Sequence, residues 1–183
     1  MPDESWTLLE TRRVSDHKIF TVNEDRYRFA PSGKERNFVR LSCPPWVNII
    51  PVTADGDVVM VRQYRHGIRK VTLEIPGGMV DPEEDPAVAA RRELLEETGY
   101  DAEVIRNLGE VWPNPAIQDN LCHFYLAENA CRVAEPRPDP FEQFEIELVP
   151  LKDIPELIAT GKIRHSLVIT AFALYGVAVP RNR

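Results

Sequence analysis

The stretch GMVDPEEDPAVAARRELLEETGY, from Gly78 to Tyr100, decides the fold of this 183-residue chain. Its second half carries the signals of a helix. Asp85 is a suitable N-cap, Pro86 suits the first helical position, and Gly99 suits the position just after the last turn. The sequence therefore predicts a helix over residues 86–98.

Three glutamates in this predicted helix conflict with the local energetics of a helix. Glu93, Glu96 and Glu97 share one face, because residues three and four apart are neighbours on a helix. Like charges at that spacing repel, and the helix dipole disfavours negative charge near the C-terminus. A solvated, charge-rich face is the simple interpretation. Divalent cations such as Mg²⁺ or Mn²⁺ would resolve both conflicts, because they bind carboxylate oxygens.

The spacing of the residues around the three glutamates favours the metal-binding interpretation over a solvated face. The chain has a glycine, five residues, a glutamate, seven residues, Arg-Glu-Leu, one residue, Glu-Glu, one residue and a final Gly-Tyr. This pattern resembles the Nudix box, and only Tyr100 departs from it, at a packing position where an aliphatic residue is usual. A match of this length is far more specific than a lone glycine-rich loop.

The resemblance implies the fold, the reaction and the metal ligands. It implies an α/β (α+β) fold, an α/β/α sandwich around a mixed sheet, that hydrolyses a nucleoside diphosphate linked to a further group. Arg92 would hold the carboxylates by charge-assisted hydrogen bonds, and Glu96 would be a ligand or a bridging catalytic group. Two or more Mg²⁺ or Mn²⁺ ions are expected. Their implied ligands are the backbone carbonyl of Gly77 and the side chains of Glu84, Glu93, Glu96 and Glu97.

Residues outside the box point to a substrate class. The segments VRQYRH at 61–66 and LEIPGG at 73–78, with Pro115 about fifteen residues beyond the box, resemble the ADP-ribose and nucleoside-diphosphate-sugar pyrophosphatase branch. Arg62 and Arg65 would then clamp the diphosphate or the sugar. Charges on a solvated strand end are the alternative for both arginines.

Two further residues have a substrate-binding interpretation beside a structural one. Glu74 would accept hydrogen bonds from ribose hydroxyls or join the metal shell, or it would form a salt bridge with Arg62 or Arg65. Trp46 would stack on the base, although a core or interface position is the more favoured interpretation of this tryptophan.

A general base is expected outside the box. In this branch it is often a glutamate on a loop before a late strand, and the stretch EQFEIEL at 142–148 has this form. Glu142 is therefore the first candidate and Glu145 the second, since a loop can bring a base to its water when substrate arrives. A charged strand edge that resists aggregation is the alternative.

The remaining sequence suggests two parts. Residues 1–45 read as an antiparallel meander with few large apolar residues, and residues 46–183 as the Nudix domain. The resemblance implies a homodimer in which this N-terminal β extension packs on the partner and helps to build the substrate pocket. The other elements expected are strands at 46–52, 57–64, 71–75, 102–112, 121–127 and 142–150, and helices at 154–160, capped by Asp153, and 166–175.

Composition narrows the class of protein and its partners. A net charge of −7 argues against a general nucleic-acid surface. The cysteines, three in number, lack metal-ligand spacing and suggest a reducing compartment. With neither a signal peptide nor a long apolar run, we expect a cytoplasmic protein with no membrane partner.

The sequence thus predicts a divalent-metal-dependent hydrolase of ADP-ribose or a related nucleoside-diphosphate sugar. Its products would be a nucleoside monophosphate and a sugar phosphate. The alternatives are a hydrolase that prefers another nucleotide sugar, such as GDP-mannose, and a non-catalytic Nudix domain that senses nucleotides. Sensing domains usually lose box carboxylates, and this chain keeps them.

Overall fold

The structure, a computed structural model, describes residues 3–137, 141 and 143–179. These residues contain α-helices α1 (Pro86–Thr98), α2 (Ile154–Ala159) and α3 (Ser166–Ala178). Their strands are β1 (Trp6–His17), β2 (Phe20–Phe29), β3 (Lys34–Ser42), β4 (Trp46–Val52), β5 (Asp57–Arg65), β6 (Lys70–Glu74), β7 (Gly77–Met79), β8 (Tyr100–Asp101), β9 (Val104–Val111), β10 (Cys122–Glu128), β11 (Cys131–Arg132) and β12 (Phe144–Pro150).

The chain divides into two compact units. The smaller unit comprises residues 1–45 and 112–121, and the larger unit comprises residues 46–111 and 122–183. The sequence suggested a single boundary near residue 45. The segment 112–121, which lies between β9 and β10 in the sequence, nevertheless belongs to the smaller unit.

The smaller unit is an antiparallel sheet in the order β1-β2-β3. Alternation along β2 buries Asn23 and Asp25 on one face, whereas most of β1 and β3 is exposed. The same face carries an aromatic cluster in which the ring of Trp6 contacts the rings of Tyr27, Phe29 and Phe38.

The larger unit is built on a mixed sheet. Its strands run in the order β12-β5-β4-β10-β9, with β6 paired to β5 and β7 paired to β4. Strands β4 and β10 are parallel, and the other pairs in this sheet are antiparallel. Strand β4 therefore lies at the centre, and β7 brings the Gly77-Gly78 pair against it.

Helices cover both faces of this sheet. In β4, Val47 and Ile49 point into a core that includes Leu94 of α1. The next residue, Ile50, points to the other face, into a second core that includes Val168 of α3. This alternation is what a strand buried on both faces requires. The predicted mixed sheet between helical layers is confirmed.

Some predicted element limits change. Helix α1 has the predicted limits, but α3 continues to Ala178 instead of ending near Tyr175, since Gly176 does not terminate it. The expected cap of α2 is wrong in detail, because the Asp153 side chain makes no capping hydrogen bond. Strand β7 was not foreseen. Within the described ranges, no helix has the length and apolar character needed to cross a membrane.

Candidate active site

Helix α1 carries three of the box carboxylates, those of Glu93, Glu96 and Glu97, and local chemistry fixes both of its ends. The Asp85 side chain accepts a hydrogen bond from the Ala87 N–H at 2.8 Å. Gly99 ends the helix in the left-handed region at φ 72°, where glycine carries no steric penalty. Glu97 lies on the sheet-facing side and is only 4% exposed, an unusual position for a carboxylate.

The two glycines of β7 allow the strand to approach these carboxylates. A Cβ on Gly78 would overlap the carboxylate of Glu93, and a Cβ on Gly77 would overlap the Val47 carbonyl. The Gly77 N–H also points at Glu97, with N and Oε2 3.4 Å apart. Backbone and carboxylates therefore share a space that a side chain would fill.

Arg92 connects the carboxylates to one another and to β7. Its Nε and Nη2 donate to the two oxygens of Glu84, each at 3.0 Å. Its Nη1 donates to Glu93 at 2.9 Å and to Glu96 at 3.1 Å. A further bond at 3.1 Å reaches the carbonyl of Met79. Such forked, charge-assisted bonds fix carboxylate orientation as well as charge.

The electrostatics follow from this arginine. Hydrogen bonds from Arg92 lower the pKa of Glu84 below its ordinary value, although burial of that carboxyl opposes the shift. The same carboxylates raise the pKa of Arg92, with Glu84 the largest cause. The side chain of Glu93 is 15% exposed and that of Glu96 is 47% exposed. The exposure of the carboxylates therefore increases from the buried Glu97, through Glu93, to the exposed Glu96.

The donor set suits a hard divalent cation. Among the residues that the structure describes, no group of three or more His, Cys, Asp or Glu side chains is arranged to hold a metal ion by itself. Carboxylate oxygens and a backbone carbonyl are nevertheless the ligands that Mg²⁺ and Mn²⁺ prefer. Glu93 and Glu97 lie beside the Gly77-Gly78 backbone, which carries no side chains, and their oxygens are suitable ligands for such an ion.

Glu74 is the buried partner of Arg65. Arg65 donates from Nε and Nη2 to the two Glu74 oxygens at 2.9 and 2.7 Å. Thr72 donates to Glu74 at 2.5 Å, and the His165 Nε2 lies 3.9 Å from it. Burial opposes ionisation of Glu74, but the bonds from Arg65 more than offset it and lower its pKa. The salt bridge to Arg65, one of the sequence alternatives, is therefore formed.

Thr72 and His165 are the residues of this group that the sequence did not reveal. Thr72 lies two positions before Glu74 on β6, so the period of a strand places both on one face. That spacing was a usable signal. His165 lies far away in the chain, at the start of α3, and no local pattern connects it to Glu74. Burial lowers its pKa, with Glu74 acting in the opposite direction.

The other predicted substrate residues of the larger unit make structural contacts. Arg62 donates from Nε to Glu147 of β12 at 2.7 Å, and both side chains are partly exposed. Trp46 is half-buried and packs against the core that α3 covers.

Three predicted site residues remain, namely Pro115, Glu145 and Glu142. Pro115 is exposed in the segment 112–121 of the smaller unit. Glu145 is exposed on β12, paired in register with Arg62 of β5. Glu142 lies outside the described residues.

The C-terminal end of α1 is tied to the segment that leads toward β12. The Arg137 N–H donates to the Glu96 carbonyl at 2.7 Å, and the Val133 N–H donates to the Gly99 carbonyl at 2.9 Å. Carbonyls at a helix C-terminus lack partners within the helix, so these bonds satisfy them. The chain before residue 138 is thereby held at the carboxylate-bearing end of the helix.

A mixed sheet between helices, with an arginine-held carboxylate cluster beside a glycine pair, defines the metal-dependent hydrolase class that the box predicts. The family model described as NUDIX domain matches residues 44–172, and the chain belongs to this family. The prediction of a Nudix hydrolase is confirmed. Divalent-metal dependence is general in that family.

Similar proteins agree with this assignment. The chain is 32% identical over 145 residues to an ADP-ribose pyrophosphatase of Bacillus subtilis (strain 168), covering 79% of this chain and 77% of that one. It is 32% identical over 183 residues to the ADP-sugar pyrophosphatase of Mus musculus, covering 91% and 84%. The crystal structure of an ADP compounds hydrolase matches 95% of this chain and 94% of its own with a TM-score of 0.84, and its 24% identity supports the fold alone.

Proposed function

We propose that the protein hydrolyses the diphosphate bond of ADP-ribose or a related nucleoside-diphosphate sugar, giving a nucleoside monophosphate and a sugar phosphate. The observation that carries the proposal is the buried Glu97 beside Glu93 at the Gly77-Gly78 pair, with Arg92 bonded to the neighbouring carboxylates. The pyrophosphatases of Bacillus subtilis and Mus musculus named above support the substrate class.

The proposed metal is Mg²⁺ or Mn²⁺, with two or more ions in each site. Glu93 and Glu97 would be the principal ligands, joined by Glu84, Glu96 and the carbonyl of Gly77. When bound, such ions neutralise the diphosphate and lower the pKa of a coordinated water. Arg92 would keep the carboxylates oriented, since its bonds to Glu84 and Glu93 constrain both.

The chain's own groups would perform the remaining tasks. Arg65, which Glu74 orients through two hydrogen bonds, would bind the diphosphate or the sugar beside Arg62. Trp46 and Pro115 stay predicted substrate contacts.

Glu142 would be the general base and Glu145 the second candidate. Glu142 follows Arg137 by five positions, and the Arg137 N–H is bonded to the Glu96 carbonyl.

The decisive experiment measures phosphate release, coupled to a phosphatase, over a panel of nucleotide sugars with Mg²⁺ or Mn²⁺. We expect turnover of ADP-ribose, its loss with EDTA, and its recovery on adding metal. Faster turnover of GDP-mannose would favour the alternative substrate. No turnover of any diphosphate with either metal would contradict the proposal.

We also propose a cytoplasmic homodimer, in which the N-terminal sheet contacts the partner chain and contributes to its substrate pocket. The exposed aromatic residues of that sheet, Trp6 and Phe38 among them, support a surface that another chain covers. Light scattering at micromolar concentration measures the oligomeric state, and a monomer at that concentration would contradict the proposed homodimer.

A further inference from the structure

The segment between β9 and β10 joins the edge of β3 through an isolated parallel β-bridge. Leu41 of β3 donates its N–H to the Ile117 carbonyl at 2.7 Å, and the Asp119 N–H donates to the Leu41 carbonyl at 3.3 Å. Leu41 and Gln118 pair in parallel. These bonds fix the backbone of residues 117–119 on the N-terminal sheet.

The Asp119 side chain reinforces this junction with three hydrogen bonds. Its carboxylate accepts from Arg40 Nη1 at 2.5 Å, from the Ser42 hydroxyl at 2.7 Å and from the Cys43 N–H at 3.2 Å. Burial opposes ionisation, but these bonds more than offset it and lower the pKa of Asp119. All three donors belong to β3 and the residue after it.

Arg40 carries the connection into the middle of the sheet. Its Nε donates at 2.6 Å to Asp25 of β2, which is only 2% exposed. Asp25 also accepts from the Thr11 hydroxyl of β1 at 2.7 Å. The chain of bonds from Asp119 therefore reaches all three strands. A network in which each buried charge has partners is rigid, and removing one member leaves others unsatisfied.

The first part of the segment, before this junction, forms a turn. The Asn114 carbonyl accepts hydrogen bonds from the Ile117 N–H at 3.1 Å and the Gln118 N–H at 2.8 Å, which closes a turn that contains Pro115. Trp112, 64% exposed, begins the segment. The position of this exposed turn is thus set by its junction with β3.

We propose that Asp119 is a positioning residue for substrate recognition, which holds the turn of residues 112–118 in its substrate-binding position on the N-terminal sheet. This inference rests on the proposed function, in which Pro115 contacts the nucleotide sugar. A loop that is ordered before binding does not lose that conformational entropy when substrate arrives. Asp119 would therefore contribute to KM and not to the chemical step.

Kinetics and hydrogen exchange test the proposal in the full-length protein. We expect Asp119→Ala to raise KM for ADP-ribose about tenfold with kcat within about twofold of the wild type. Faster amide exchange in residues 112–121 and at Leu41 should accompany it, without change in the pairing of β1 with β2. Asp119→Asn keeps one acceptor oxygen, which can serve either the Ser42 hydroxyl or the Cys43 N–H but not both, and its KM should fall between those of the wild type and Asp119→Ala.

Glu24→Gln is the matched control, since Glu24 is bonded to the exposed Arg12 on the same sheet, and it should keep the wild-type KM. An unchanged KM in Asp119→Ala, or a fall in kcat alone, would overturn the positioning role while the wild type stays active. Unchanged exchange in residues 112–121 would also overturn it. Inactivity of the wild type on the whole panel would instead refute the proposed function on which it rests.

Discussion

The backbone of Gly78 lies against the carboxylate of Glu93 so closely that a Cβ at position 78 would overlap it. Gly78 is not among the glycines with positive φ. Space, and not an unusual backbone conformation, is therefore what requires glycine here. Where a side chain would stand, a carboxylate and a strand backbone instead approach each other.

Gly78→Ala should consequently displace Glu93 and remove most of the activity. We expect kcat/KM for the nucleotide sugar to fall by about a hundredfold or more, because a small misplacement of a catalytic group can cost that factor. Gly67→Ala is the matched control, since nothing lies within 4 Å of a Cβ there and its φ is not in the left-handed region. Equal activity of the two variants would show that the close approach does not matter.

Glu97→Gln should remove activity while keeping the fold. Gln has the shape of Glu, so the buried site beside Gly77 stays filled, but a neutral amide is a poor ligand for a hard cation. We expect kcat to fall by at least about a hundredfold, with weaker Mn²⁺ binding by calorimetry and a thermal unfolding midpoint close to the wild type. Glu83→Gln, a neighbouring glutamate outside the box positions, is the control. A fully active Glu97→Gln variant would refute the metal assignment.

Glu142→Gln and Glu145→Gln separate the two candidate bases. Loss of a general base typically lowers kcat by about 10²–10⁴-fold. We expect Glu142→Gln to lower kcat by that factor with little change in KM, and Glu145→Gln to retain most activity, because Glu145 lies exposed on β12. The reverse order would move the base to Glu145, and two active variants would place it elsewhere.

The sequence predicted the helix of the site well because its signals are local. The Asp85 cap, Pro86 and Gly99 act within one or two turns, and the structure has the predicted limits. The fixed spacing of the box identified the family for the same reason. Interactions between distant parts of the chain could not be predicted in this way, because no local pattern indicates them. Nothing near Asp119 in the sequence shows that it would bind Arg40.

The sequence also could not predict which of the glutamates are buried. Helical spacing placed three carboxylates on one face, but it could not show that Glu97 is buried against β7 while Glu96 stays half-exposed. That difference depends on how closely β7 approaches α1, which the two glycines allow. The salt bridge of Glu74 was one of three open alternatives, and only the pairing of β5 with β6 brings it to Arg65.

Asp25 should make the folded state sensitive to acid. Bonds from Arg40, opposed by burial, lower its pKa in the folded protein, whereas the unfolded chain has the ordinary value of about 3.9. The unfolded state therefore binds more protons in acid, so the stabilisation from Asp25 is present above about pH 4 and is lost as the pH falls through the folded pKa. Asp25→Asn removes this contribution. In urea titrations, its free energy of unfolding should start lower at pH 7 and fall less steeply than that of the wild type between about pH 5 and about pH 3. Parallel curves for the two proteins would show that the Asp25–Arg40 pair does not stabilise the N-terminal sheet through its charge.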